Sequence, residues 1–324
     1  WVKNQIKKGS SLLISGLVFK GQPPTSDLRG SNPIKILKQL IDEYDKYNIM
    51  EMYKSEIKEF YDKNKAYCHY PFREIYNNSS GHYKLCCHAN VHPDTRKYTT
   101  QNITPFKYFR SKEMEGIRNK MLSGEKMSSC QVCYQMEEAS GESYRTKDVK
   151  KISGIELEPA SIGLKLRVHG SYCNLQCYMC HPHNSSGRRN EMKAVYGKEV
   201  LKKWMPNFKG LNYTQWNDIL KDILDNIHLV EYIVVTGGEP LLLPKQWEMI
   251  EKIPEEHAKH IHLAYDTNLT ELTYKNHSIF DVAKKFKEVD LRASCDHYGR
   301  KLEWIRYPIN RKRFESNLIE AKDL

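Results

Sequence analysis

The 324-residue sequence predicts an α/β fold in which parallel strands form a partial (β/α) barrel, preceded by a small cysteine-bearing α+β domain and a helical N-terminal segment. Three observations predict it. Apolar runs of strand length occur at Ile162–Val168, Tyr232–Thr236, Ile261–Tyr265 and Val289–Ala293. Helical patterns at Trp216–Ile227 and Phe280–Lys287 fall between them, which is the alternation of parallel βαβ units. A three-cysteine run and the loop Thr236–Pro240 each follow a strand directly, at the carboxyl edge where parallel α/β folds place their active sites.

The elements divide into three regions. Residues 1–66 read as a mainly helical extension. Leu12–Phe19 is an apolar run suited to a buried strand and too short to cross a bilayer. Pro33 follows Ser31 and Asn32 as a first helical residue would, and Ile34, Leu37, Ile41, Tyr44 and Tyr47 recur at helical spacing. A second helix is expected over Met50–Lys65.

Residues 67–151 hold Cys68, Cys86, Cys87, Cys130 and Cys133. Gly81 marks a turn before the strand-like Tyr83–Leu85. Ser111 is placed to cap a helix carrying Met114, Ile117 and Met121, with Gly124 near its end. The rest is loop-rich, so bound metal would supply much of this region's stability. Residues 152–324 form the strand–helix alternation. Four parallel strands make only an open arc. That count, with Trp1 as first residue and an end soon after the fourth strand, suggests a piece of a longer barrel or one completed by a partner.

Composition narrows the function. Nothing approaches 18 consecutive apolar residues and no cleavable leader is evident, so a cytoplasmic, non-membrane protein is expected. The nine cysteines are clustered at short spacings, which in such a chain points to metal or cluster ligation and not to disulfides. The formal charge of +11 suits an acidic partner such as nucleic acid or peptide, and equally a solvated lysine-rich surface.

Cys173, Cys177 and Cys180 stand at C-x3-C-x2-C spacing on the loop after the first barrel strand. Three thiolates hold three corners of a cubane and leave the fourth iron open to a chelating ligand. A zinc knuckle completed by His181 or His183 is the other reading of the run alone.

With this motif and Thr236-Gly-Gly-Glu-Pro240, the sequence resembles the radical S-adenosylmethionine (SAM) superfamily. The resemblance implies that the cysteines hold the catalytic [4Fe–4S] cluster, that Met179 contacts the adenine, and that Gly237, Gly238, Glu239 and Pro240 bind the SAM amino group. Glycine lets backbone carbonyls approach the ligand, and Glu239 offers a carboxylate to an ammonium. It further implies that Asn268 lies near the nucleoside. Ser294 and Asp296 would reach the ribose or carboxylate of SAM, and Arg306 would pair with that carboxylate, whose geometry suits a guanidinium. A reducing partner such as flavodoxin or ferredoxin is implied as well.

Cys68, Cys86, Cys130 and Cys133 resemble the ligands of the twitch module, a reduced form of the SPASM extension of radical SAM enzymes, although here they precede the barrel. The resemblance implies a second, fully ligated [4Fe–4S] cluster acting as electron relay. Cys87 is adjacent to Cys86 and either thiol suits the site. Zinc remains open, with His69, His82 and His88 nearby. Cys295 is expected to be a packing residue.

The expected function is reductive cleavage of SAM to a 5′-deoxyadenosyl radical that abstracts hydrogen from a peptide, a protein or a small polar metabolite. The alternatives are a radical SAM enzyme acting on RNA and a zinc-stabilised nucleic-acid-binding protein. Brown, iron-loaded protein separates the enzyme from the latter.

Overall fold

A computed structural model of the chain describes residues 64–149, 161–205 and 215–322. The expected strand at Leu12–Phe19, the helix starting at Pro33 and nearly all of the helix expected over Met50–Lys65 lie outside the described residues.

The core element is a six-stranded sheet. Its strands are β1 (Glu74–Asn77), β2 (Tyr83–Lys84), β3 (Ile162–Leu166), β4 (Val230–Val235), β5 (His262–Thr267) and, after a two-stranded hairpin β6 (Thr273–Tyr274) and β7 (His277–Ser278), β8 (Glu288–Ala293). The order is β2-β1-β3-β4-β5-β8, with β2 antiparallel to β1 and every other pair parallel. The four expected barrel strands are β3, β4, β5 and β8. The third and fourth are offset by a residue or two from their apolar runs, because polar ends at Asp266, Thr267 and Glu288 also join the ladder.

β3 alternates between buried and half-buried residues, while β1, β4 and β5 are buried on consecutive residues. Ile75, Leu164, Ile233, Leu263 and Val289 lie side by side in register, and Leu166, Val235, Tyr265 and Leu291 form the next row. These side chains merge with Trp216, Ile219 and Ile223 of the helix Trp216–Asp225, with Trp247 and Ile250 of Pro244–Lys252, and with Ile279 and Val282 of Ile279–Lys285 into one core. The period of two on the strands therefore meets an apolar stripe on each helix, and the helices are held by burial of that stripe.

The sheet does not stop at the expected boundary between residues 151 and 152. β1, from the cysteine-bearing region, pairs in parallel with β3 through Glu74↔Gly163, Ile75↔Leu164 and Tyr76↔Lys165. Side chains reinforce the join. Asn77 Oδ1, fully buried, accepts the Arg167 N–H at 2.8 Å, and Asp222 Oδ2 accepts the Phe106 N–H at 2.7 Å. Arg110 donates to Asn226 Oδ1 at 2.7 Å. Local expectations in this region hold at Ser111, whose hydroxyl accepts from Met114 N–H and caps Lys112–Leu122. They hold also at Gly81, whose φ of +83° makes the turn before β2.

Candidate functional site

The C-terminal ends of β3, β4, β5 and β8 gather one site. Cys173, Cys177 and Cys180 stand on the loop between β3 and the helix Ser186–Tyr196. The helix start shapes this loop. Ser185 caps the helix by accepting from Arg188 N–H, while its hydroxyl donates to Leu175 O at 3.1 Å. Ser186 Oγ accepts the Cys173 N–H at 3.0 Å. Gly187 sits so close that a Cβ there would lie 2.4 Å from Leu175 O and 3.1 Å from Cys173 O. The serines and the glycine thus do what the cysteines cannot do for themselves, which is to fix the backbone that presents them. They were not singled out in the sequence, although Ser-Ser-Gly ahead of a helical pattern is a capping signal.

Burial pushes the Cys173 thiol up to about 11 and raises Cys177 and Cys180 as well. The three thiols sense one another's charge, and the Arg306 guanidinium opposes the rise at Cys177 and Cys180. A thiol trio with Cys177 buried and Cys173 and Cys180 half-buried, next to one cation, suits a cationic metal group that takes up thiolates and releases protons. Arg306 is carried there by two backbone bonds: Gln176 N–H donates to Tyr307 O at 2.6 Å and Tyr178 N–H to Ile305 O at 2.9 Å. Its Nη1 then lies 3.8 Å from Cys177 Sγ, and its Nε 2.5 Å from Asp296 Oδ2.

The Gly237–Pro240 loop docks against the same segment. Gly238 N–H donates to Asn184 O at 2.9 Å and Glu239 N–H to Tyr172 O at 2.7 Å. Gly238 has φ +62°, and a Cβ would lie 2.2 Å from Tyr172 O, so glycine is required by both conformation and contact. Pro240 opens the short helical turn Pro240–Leu242.

Glu239 differs from the expectation of a carboxylate presented to a ligand ammonium. It is 1% exposed. Oε1 accepts from Thr267 Oγ1 at 2.5 Å and from Leu241 N–H at 3.3 Å, and Oε2 accepts from Asn268 N–H at 2.7 Å. Burial raises its carboxyl to about 7 against the pull of these donors. The protein's own donors occupy the carboxylate, because the β4 and β5 ends converge and something must satisfy the N–H groups of Leu241 and Asn268.

Asn268 continues the chain of contacts. Its Nδ2 donates to Asn174 Oδ1 at 2.9 Å and lies 3.9 Å from Cys173 Sγ, while its Oδ1 accepts from Thr270. Ser294 N–H donates to Thr267 O at 2.8 Å, bringing the β8 end beside the β5 end. Met179 is half exposed at the rim, between Tyr178 and Cys180. Cys295, expected to pack, is exposed, with its Sγ 3.4 Å from His297 O, because it falls beyond the last paired residue of β8.

A second cluster of thiols lies at the other edge of the sheet, beyond β2. Cys68, Cys86, Cys130 and Cys133 are all buried and line one pocket with Tyr70, His88, Ala89, Val132, Tyr144 and Arg145. Burial drives Cys68 far up, and it also senses Cys86, Cys130 and Cys133. Burial pushes Cys86 up to about 12 against the N–H groups of His88 and Ala89, and Cys130 up to about 11. Cys130 occupies the N-cap position of the helix Gln131–Ser140, and Cys133 sits in its first turn. Arg145, buried, donates to Tyr67 O at 2.7 Å and pairs with Glu137 beside the pocket. Cys87 points elsewhere: it is exposed and senses Glu74, Lys165 and Lys84. His88 stacks on Tyr144 with ring centroids 3.5 Å apart.

No helix among the described residues is long and apolar enough to cross a membrane. A search of curated proteins and a search of solved structures each returned no match. Residues 168–324 match the family described as the Radical SAM superfamily. The part of the chain that carries the three-cysteine loop, the Gly237–Pro240 loop and Arg306 is therefore a Radical SAM superfamily domain.

Proposed function

We propose that the chain is a radical SAM enzyme acting on a peptide, a protein or a small polar metabolite. In this reading Cys173, Cys177 and Cys180 hold a site-open [4Fe–4S] cluster. Met179, the Gly237–Pro240 loop, Asn268, Ser294, Asp296 and Arg306 hold SAM. Cys68, Cys86, Cys130 and Cys133 hold an auxiliary [4Fe–4S] cluster. The observation that carries it is the convergence of the thiol trio, the glycine loop and Arg306 at one sheet edge within the matched domain.

When bound, the cluster and SAM supply one-electron cleavage of the sulfonium to a 5′-deoxyadenosyl radical that takes hydrogen from an unactivated carbon. The chain's residues supply position and charge. Gly237 and Gly238, both at positive φ, allow the loop conformation, and Gly238 also allows its close approach to the Tyr172 carbonyl. Glu239 acts from behind that loop, tying it to Thr267 and Asn268 so that the β4 and β5 ends stay in register. Arg306, held by Asp296 beside Cys177, would offer its guanidinium to the carboxylate of SAM.

The auxiliary site is supported by its four buried thiols. Cys86 is the ligand in this reading and Cys87 is not, since Cys86 alone of the pair lines the pocket.

Anaerobic reconstitution with iron and sulfide, followed by dithionite and SAM, tests the proposal. Brown protein that releases 5′-deoxyadenosine supports it. Colourless protein with stoichiometric zinc and no nucleoside release overturns it and favours the nucleic-acid-binding alternative.

A further inference from the structure

Among the described residues that line the pocket of Cys68, Cys86, Cys130 and Cys133, Arg145 alone carries a permanent charge. The rest of the lining is aromatic, aliphatic or imidazole. Arginine is seldom fully buried, yet Arg145 is 2% exposed, while Val132 and Tyr144 on the same pocket are each 41% exposed. The cation therefore sits deep and those two side chains form the rim. Its outer nitrogens are held. Nη1 donates to Tyr67 O at 2.7 Å, and Nη2 donates to Glu137, whose other carboxylate oxygen accepts from the buried Ser143 hydroxyl. Nε is buried and has no hydrogen-bond partner among the described residues. A buried donor without an acceptor is costly, so its persistence calls for a reason.

The bonds that are made place the charge. Tyr67 directly precedes Cys68, and Glu137 follows Cys133 by one turn of the helix Gln131–Ser140. Arg145 thus ties the segment bearing Cys68 to the helix bearing Cys133, with its guanidinium carbon 5.5 Å from the centroid of the Tyr134 ring. Glu137 does not line the pocket, so the ion pair presents its cationic end to the thiols, and Cys130 senses that charge. A [4Fe–4S] group held by four thiolates is anionic, and accepting one electron adds a further negative charge. In a buried, weakly polarisable place a neighbouring cation favours that added charge far more than it would in water.

We propose that the buried Arg145–Glu137 pair sets the electron affinity of the auxiliary site, with Arg145 raising the reduction potential of a cluster held there and Glu137 tempering it. The inference rests on the reading of the four thiols as an iron–sulfur site. The step is the transfer of one electron: the cluster is reduced, a flavodoxin- or ferredoxin-type donor is oxidised, and the four thiolate bonds are kept. A second role follows from the same bonds. Because Arg145 links the Cys68 and Cys133 segments, it also holds the pocket in shape, and the test has to separate charge from shape.

The test is an anaerobic redox titration, read by electron paramagnetic resonance, of the reconstituted full chain carrying Cys173→Ala, Cys177→Ala and Cys180→Ala, so that the auxiliary site is the iron site that remains. Added Arg145→Gln is expected to lower the ratio of reduced to oxidised cluster at a fixed potential about tenfold, which for one electron is about 59 mV. Arg145→Lys keeps the charge and is expected to stay within about threefold of its parent. Glu137→Gln removes the opposing charge and is expected to raise the ratio. A merely structural pair predicts otherwise: both glutamine variants break it, so both lose iron and neither moves the potential of the iron that stays. Iron per chain is measured on every sample. If Arg145→Gln fails to load, Glu137→Gln decides by the sign of its shift. Unshifted potentials in iron-loaded variants, or a lowered ratio in Glu137→Gln, overturn the proposal. A triple-alanine parent that binds no iron overturns the auxiliary-cluster reading itself, so the two failures are distinguishable.

Discussion

Arg306 Nη1 sits 3.8 Å from Cys177 Sγ because backbone bonds from Gln176 and Tyr178 grip the residues on either side of it. The cation is therefore a fixed part of the cysteine loop's surroundings, and not a mobile surface arginine. Hydrogen bonds to charged groups contribute about 1.5–3 kcal/mol, so Arg306→Gln is expected to weaken SAM binding by roughly tenfold or more. Equilibrium binding of SAM to the reconstituted variant measures this. Unchanged affinity would separate Arg306 from the ligand.

Glu239→Ala is expected to destabilise the protein by about 2–4 kcal/mol, since it strands the Thr267 hydroxyl and the N–H groups of Leu241 and Asn268 in a buried place. Denaturant unfolding at pH 7 reads the loss. A variant as stable as the parent would mean that the carboxylate serves a ligand alone.

Two glycine variants separate close approach from generic flexibility. Gly238→Ala drives a Cβ to 2.2 Å from the Tyr172 carbonyl, a backbone atom that cannot step aside. It is expected to lower iron uptake by the loop and to lower the melting temperature. Gly116→Ala meets nothing within 4 Å inside the helix Lys112–Leu122 and is expected to be neutral or to stabilise by up to about 1 kcal/mol. Iron assays and melts on the pair check both.

His169 gives a pH dependence with a definite sign. It is 4% exposed, neither ring nitrogen has a partner, and burial, with Lys245 adding to it, lowers its pKa to about 3. The unfolded imidazole takes a proton near pH 6.5, and the folded one does not until about pH 3. Its contribution to stability is thus complete above pH 6.5 and lost as pH falls toward 3. By pH 5 the loss is about 2 kcal/mol relative to pH 7. His169→Phe keeps a flat ring beside Trp216 and is expected to remove that part of the acid sensitivity. Parallel slopes for the two proteins between pH 7 and pH 5 would contradict it.

The barrel strands were legible because β3, β4, β5 and β8 need apolar side chains on their helix-packed face, and that need writes runs into the sequence. β1 was not legible. Glu74-Ile-Tyr-Asn carries a polar residue on each face and yet is buried throughout, and its partner β3 lies more than eighty residues away. The cysteines announced themselves by spacing. The placing of Cys86 in the pocket and Cys87 outside it did not, since both lie in an irregular bend after β2 and only tertiary packing says which of them faces the pocket. The burial of Glu239 depends on the convergence of two strand ends, which no local pattern encodes.

In the proposed reading the chain holds two separate iron–sulfur clusters, the radical-generating one on the loop after β3. Iron quantification of anaerobically reconstituted protein and of its Cys173→Ala, Cys177→Ala, Cys180→Ala triple variant tests it most directly. The parent is expected to hold about eight irons and the triple variant about four, with release of 5′-deoxyadenosine abolished. A triple variant that keeps the parent's full iron content, or that still cleaves SAM, would contradict it.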